Sequence, residues 1–122
     1  MSKVIRFDIN TRDPEQLASF YRQVFDWQIE ERTGPVSFWR ITAGPDDEPG
    51  VNGGLVNMVE AEPCTWHVVQ VPSVDEALDK AVAAGGEVFS TKRAVTGQGW
   101  EAYIRDPEGN VFGLFEEDPS VK

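Results

Sequence analysis

Thr65-Trp66-His67-Val68-Val69-Gln70-Val71, followed by Pro72-Ser73-Val74-Asp75-Glu76-Ala77-Leu78 and closing on Gly85-Gly86, is the stretch that decides the fold. Its first seven residues are mostly β-branched or aromatic, which predicts a strand. Ser73 and Glu76 then have the spacing of a capping box. Ala77, Leu78, Ala81, Val82 and Ala84 recur at helical spacing, and Gly85-Gly86 stops that helix. The same pair of elements stands at the start of the chain. Val4 to Ile9 predicts a strand, Asp13 is a good N-cap, and Pro14 fits the first helical position. Leu17, Phe20, Tyr21, Val24 and Phe25 supply an apolar helix face.

Three strand-like runs follow each helix. After the first come Trp27 to Glu31, Val36 to Thr42 and Gly53 to Val59; after the second come Glu87 to Ser90, Gly99 to Arg105 and Val111 to Glu116. Breaker-rich Ala43 to Gly50 is a loop, and Asp106-Pro107-Glu108-Gly109-Asn110 is a turn. The chain therefore reads β-α-β-β-β twice, an internal duplication. Each half is too small to bury a core comfortably by itself. One domain over 1–122 is expected, with module one at about 1–60 and module two at about 65–117, joined by Glu60-Ala61-Glu62-Pro63-Cys64. The tail from Glu117 to Lys122 is expected to fray.

Composition narrows the partners. With 40% hydrophobic and 26% charged residues the chain is globular rather than disordered. A formal net charge of -10 disfavours nucleic acid, whose binding needs clustered Lys and Arg, and disfavours an anionic membrane surface. The single cysteine, Cys64, allows no intrachain disulfide and fits a reducing compartment. No apolar leader and no membrane-length apolar run is present, so a cytoplasmic location is expected.

Three segments resemble the vicinal-oxygen-chelate superfamily, which includes glyoxalase I, extradiol dioxygenases and bleomycin-resistance proteins. The first is Arg6-Phe7-Asp8-Ile9 with Asp13-Pro14-Glu15, Phe20-Tyr21 and Val24-Phe25-Asp26-Trp27. The second runs from Val71 to Asp75 and on to Gly85-Gly86. The third is Asp106-Pro107-Glu108-Gly109-Asn110 leading into Phe112-Gly113-Leu114. The resemblance implies an α+β fold: two βαβββ modules forming curled mixed sheets, with helices packed outside and a ligand cavity inside.

The resemblance also poses a metal question. Metal-dependent members hold a divalent ion with His and Glu from the first and last strands of each module. Carried onto this chain, those slots fall on Arg6, at or near Gly54, on Trp66 and on Gly113. A guanidinium, an indole and a bare glycine cannot ligate. Neither Val51 to Val59 nor Val111 to Phe115 contains His, Cys, Asp or Glu, so a shifted register supplies no ligand. The only histidine, His67, alternates onto the face opposite Trp66. No metal and no cofactor is expected.

Other chemistry finds less support. Cys64 and His67 are three apart on an extended chain and point to opposite faces. Asp8 is the best acid–base candidate, although a plain ion pair with Arg6 is the favoured reading. Gly97-Gln98-Gly99 and Gly53-Gly54 precede no helix in the register that cradles phosphate. Trp39, Trp66, Trp100 and Tyr103 fall on sheet strands where inner faces bind planar ligands, whereas Phe7, Phe20, Phe25, Phe38 and Phe112 read as core. Arg6, Asp8, Trp66, Val68 and Gln70 share the inward parity of the paired first strands and form the expected ligand-binding set. The expectation is a metal-free, bleomycin-resistance-like homodimer binding a small organic molecule. An enzyme of the same superfamily (lyase or dioxygenase-like) and a structural or regulatory dimer are the alternatives.

Overall fold

The computed structural model describes residues 2–33, 38–59 and 61–122. One compact unit is Arg6–Thr65; the other is Trp66–Lys122 together with the N-terminal residues through Ile5. The first half of the chain contains β1 (Lys3–Asn10), α1 (Pro14–Phe25), β2 (Gln28–Arg32), β3 (Phe38–Thr42) and β4 (Gly53–Val56). The second contains β5 (Cys64–Gln70), α2 (Val74–Ala83), β6 (Glu87–Val95), β7 (Gly99–Arg105) and β8 (Val111–Glu117). The chain is thus α+β, with the βαβββ order twice. Of the expected strand Val36 to Thr42, Val36 and Ser37 lie outside the described residues.

In the first unit the strand order is β2-β3-β4-β1, with β1 and β4 parallel and the other pairs antiparallel. The Asp13 side chain caps α1 by accepting from the Gln16 N–H at 3.1 Å, and Asp26 closes the helix in a left-handed conformation at φ 58°. Ile9, Ala18, Ile29, Ile41 and Leu55 form the core between α1 and one sheet face, with Phe7, Leu17, Tyr21, Trp27 and Trp39 packed against it. Phe20 and Phe25 depart from expectation: they are 55% and 52% exposed. Leu17, Ala18 and Tyr21 occupy the narrow arc that meets the sheet. Trp27, beyond the helix, covers what remains, with its ring centroid 5.4 Å from Tyr21 and 5.6 Å from Phe7.

The second unit repeats this plan with the order β5-β8-β7-β6, β5 and β8 being parallel. Ser73 caps α2 by accepting from Glu76 N–H at 3.2 Å, and Gly85 at φ +100° ends it. Val71, Val74, Ala102 and Leu114 form the core, joined by Val69, Ala77, Leu78, Trp100 and Ile104. β6 runs past the expected Ser90 to Val95, because two register shifts bend it along β7. The first unit's β4, by contrast, ends at Val56. Past it, Asn10, which is 1% exposed, donates to the carbonyls of Met58, Ala61 and Glu62 and accepts from the Met58 N–H. The tail is not frayed. Gly97 N–H donates to Val121 C=O at 2.7 Å, Asp118 N–H donates to Gln98 C=O at 2.8 Å, and Val121 is 8% exposed.

Candidate functional site

Strand alternation sorts every side chain to the helix face of its sheet or to the face without a helix. In the first unit, Phe7, Ile9, Leu55, Ile41 and Ile29 take the helix face. Register then places Asp8, Gly54, Arg40 and Glu30 in one row across the other face, with Arg6, Phe38 and Arg32 beside them. Arg6 and Asp8 meet as the sequence suggested: Arg6 Nε lies 3.7 Å from Asp8 Oδ1, and the Asp8 side chain is 6% exposed. In the second unit, Trp66, Val68 and Gln70 occupy the helix-free face of β5. Val68 aligns with Gly113, Tyr103 and Ser90, and Gln70 aligns with Phe115, Glu101 and Arg93.

Two tryptophans expected on inner faces are elsewhere. Trp39 and Trp100 pack with the helix-side cores, since each alternates with residues buried beneath a helix. Phe38 lies on the helix-free face, opposite Arg32 and beside Gly54, rather than in the core. Trp66 is on the expected face but deeply buried, with its ring edge-on to Tyr103 at 5.4 Å and an interplanar angle of 75°. Among the described residues its buried Nε1–H has no hydrogen-bond partner. His67 is exposed on the opposite face of β5, near Phe112, and Cys64 is exposed.

The residues at the four metal positions do not fit a divalent ion. A Cβ at Gly54 would meet Asp8 Oδ1 at 3.3 Å and Phe38 Cδ2 at 3.7 Å. One at Gly113 would meet Val68 Cγ2 at 3.1 Å and Tyr103 Cε1 at 3.2 Å. The room a ligating side chain needs is therefore filled. Among the described residues no group of three His, Cys, Asp or Glu converges as a metal would require.

Sequence reading missed two charged groups. Glu101 is buried and ion-paired with Arg93, which is also hydrogen-bonded to Tyr103. Burial works against the Arg93 charge, but the Glu101 carboxylate and then Tyr103 outweigh it and hold the guanidinium above its ordinary value. Arg40 was also missed. Both were findable from alternation, because Trp100-Ala102-Ile104 and Trp39-Ile41 leave Glu101 and Arg40 on the opposite face.

Comparison with known proteins agrees with this architecture. Residues 5–115 match the family model described as a glyoxalase-like domain. The proteins named "Putative glyoxylase CFP32" from Mycobacterium bovis and Mycobacterium tuberculosis are 26% identical over 93% of this chain. The chain spans about half the length of those relatives, 45%. A glyoxalase/bleomycin resistance protein/dioxygenase superfamily member from Vibrio splendidus shares the fold at TM-score 0.64 and 13% identity, covering 97% of this chain and 100% of that one. Methylmalonyl-CoA epimerase from Mycobacterium tuberculosis does so at TM-score 0.65 and 15% identity, covering 95% and 88%. With the family model spanning nearly all of it, this chain belongs to the glyoxalase-like domain family of the vicinal-oxygen-chelate superfamily.

Proposed function

We propose that this protein is a metal-free member of its family that binds a small organic molecule against the helix-free sheet faces. The observation that carries the reading is Trp66. Its indole N–H is buried on that face without an acceptor among the described residues. A donor left so costs about 1–3 kcal/mol, which a ligand oxygen or ring nitrogen would recover. Tyr103 gives the indole an aromatic neighbour, and Arg6, Asp8, Val68 and Gln70 complete the proposed ligand-binding set. The donor set supports the metal-free part: the slots that the resemblance assigns to metal ligands fall on Arg6, at or near Gly54, on Trp66 and on Gly113, none of which can ligate. We place the protein in the cytoplasm as a homodimer, because each module leaves a sheet edge, such as β2 in the first unit and β6 in the second, that needs a partner or protection.

The test is native mass spectrometry of the purified protein for a retained small molecule, paired with Trp66→Phe. That variant keeps an apolar ring and deletes the N–H, so it should fold and bind about tenfold more weakly or worse. A Trp66→Phe protein that binds the retained molecule as tightly as the parent refutes the assignment.

A further inference from the structure

Within the second unit, Trp66 Nε1 is the buried side-chain nitrogen that has no hydrogen-bond partner among the described residues. The side chains that share its face in the adjoining rows are apolar or aromatic. Val68, Tyr103 and Phe115 are all buried, and Gly113 stands between Val68 and Tyr103 with no side chain of its own. The donor therefore sits in surroundings of low effective dielectric, where an uncompensated charge is costly.

The charges of that face are settled in pairs. Among the described residues of β5, β8, β7 and β6 it carries two cations, Arg93 and Arg105. Arg93, opposite Glu101 in the ladder, is ion-paired with it, and Arg105, opposite Glu87, pairs with that carboxylate at 3.3 Å. Lys92 is on the helix side, where its Nζ reaches Asp75 of α2 at 3.0 Å and lies 4.5 Å from the centre of the Trp100 ring. Glu117 adds a further negative charge at the end of β8. An anion brought beside Trp66 would thus meet only cations that carboxylates already hold, and burying it there would go uncompensated. The charged head of a cation has no lone pair with which to accept the indole N–H. What remains is an uncharged acceptor.

We propose that the molecule held at Trp66 is uncharged: an amide, a ketone or an aza-aromatic whose carbonyl oxygen or unprotonated ring nitrogen accepts the indole N–H. The inference rests on the ligand-binding reading above and narrows it by charge. Gln70, in the row of Phe115 and Glu101, offers a second neutral hydrogen-bonding group on the same face. The buried Glu101 carboxylate sets the selectivity, because by holding Arg93 it keeps the face closed to anions.

Benzamide, benzoate and benzamidinium share a phenyl ring and a planar head, and are neutral, negative and positive at neutral pH. Each is titrated into the full chain while the Trp66 Nε1–H signal is followed by NMR, that signal being assigned by its loss in Trp66→Phe. Benzamide should move it saturably, at a concentration about tenfold or more below that needed for either ion. Glu101→Gln, which frees Arg93, should bring benzoate level with benzamide or past it. Asp79→Asn, which removes the same charge from an exposed position on α2, should leave the preference as in the parent. Benzoate or benzamidinium acting on the parent at or below the benzamide concentration overturns the proposal and leaves the ligand-binding reading standing. A benzamide preference unchanged in Glu101→Gln overturns the charge-pair account of the selectivity. If no probe moves the signal, the molecule retained in the native mass spectrum decides: uncharged at neutral pH, it supports the proposal, and ionised, it overturns it. No response together with no retained molecule brings down both readings.

Discussion

A methyl group added at Gly113 would press on Val68 and Tyr103 at 3.1 and 3.2 Å, tighter than ordinary contact. Gly113→Ala should therefore cost about 1–3 kcal/mol, read as a lower thermal midpoint. Trp66→Ala should cost more, about 3–5 kcal/mol, because a deeply buried ring leaves a cavity that its neighbours fill only in part. A Trp66→Ala midpoint close to the parent's would mean that the indole is not packed as described. At this scale the sequence told which way a side chain points but not how deeply it is covered. The resemblance set the facing of Arg6 and Trp66, alternation extended it to Asp8, Val68 and Gln70, and these residues do lie on the helix-free faces. The burial of Trp66 depends on Tyr103, brought close by the pairing of β7 with β8, and no local pattern encodes that pairing.

The turn between β7 and β8 illustrates what a short segment can hold by itself. Asp106 accepts from the Asn110 side chain at 2.8 Å, and from the Asn110 and Glu108 backbone N–H groups at 2.9 Å each. The Asn110 side chain foremost, and then the backbone donors, hold the Asp106 carboxyl below its ordinary 3.8. Asp118 is lowered likewise, chiefly by Ser120. A depressed folded-state value means that this stabilisation is present above the unfolded value and is lost as pH falls through the lower folded one. The thermal midpoint should therefore drop as pH falls below about 4, and Asp106→Asn should flatten part of that slope. An unchanged acid limb in Asp106→Asn would remove Asp106 from the account. Elements of this kind were legible because Asp, Pro and Gly act locally. The α1 face was less so: five apolar positions suggested a wide contact, but the sheet meets only the arc of Leu17, Ala18 and Tyr21. The ordering of the tail was also hidden, since its hydrogen bonds run back to Gly97 and Gln98.

For the whole chain, the duplicated order was readable because strand and helix periods differ and the pattern restarts at Thr65. Two consequences can be measured. Dialysis against zinc or nickel should leave no stoichiometric ion, and His67→Ala should not change the result. Sedimentation at micromolar concentration should give a species of twice 13.6 kDa rather than the monomer. The distribution of the tryptophans has one more consequence, and it is optical. Trp27, Trp39 and Trp100 are half-buried at helix-side positions, whereas Trp66 is 2% exposed on the other side of its sheet. A dissolved quencher such as acrylamide should therefore dim the emission of the first three and leave a shielded fraction belonging to Trp66. That residual glow would let a single indole report on its own surroundings in the unmodified protein, and it should vanish in Trp66→Phe.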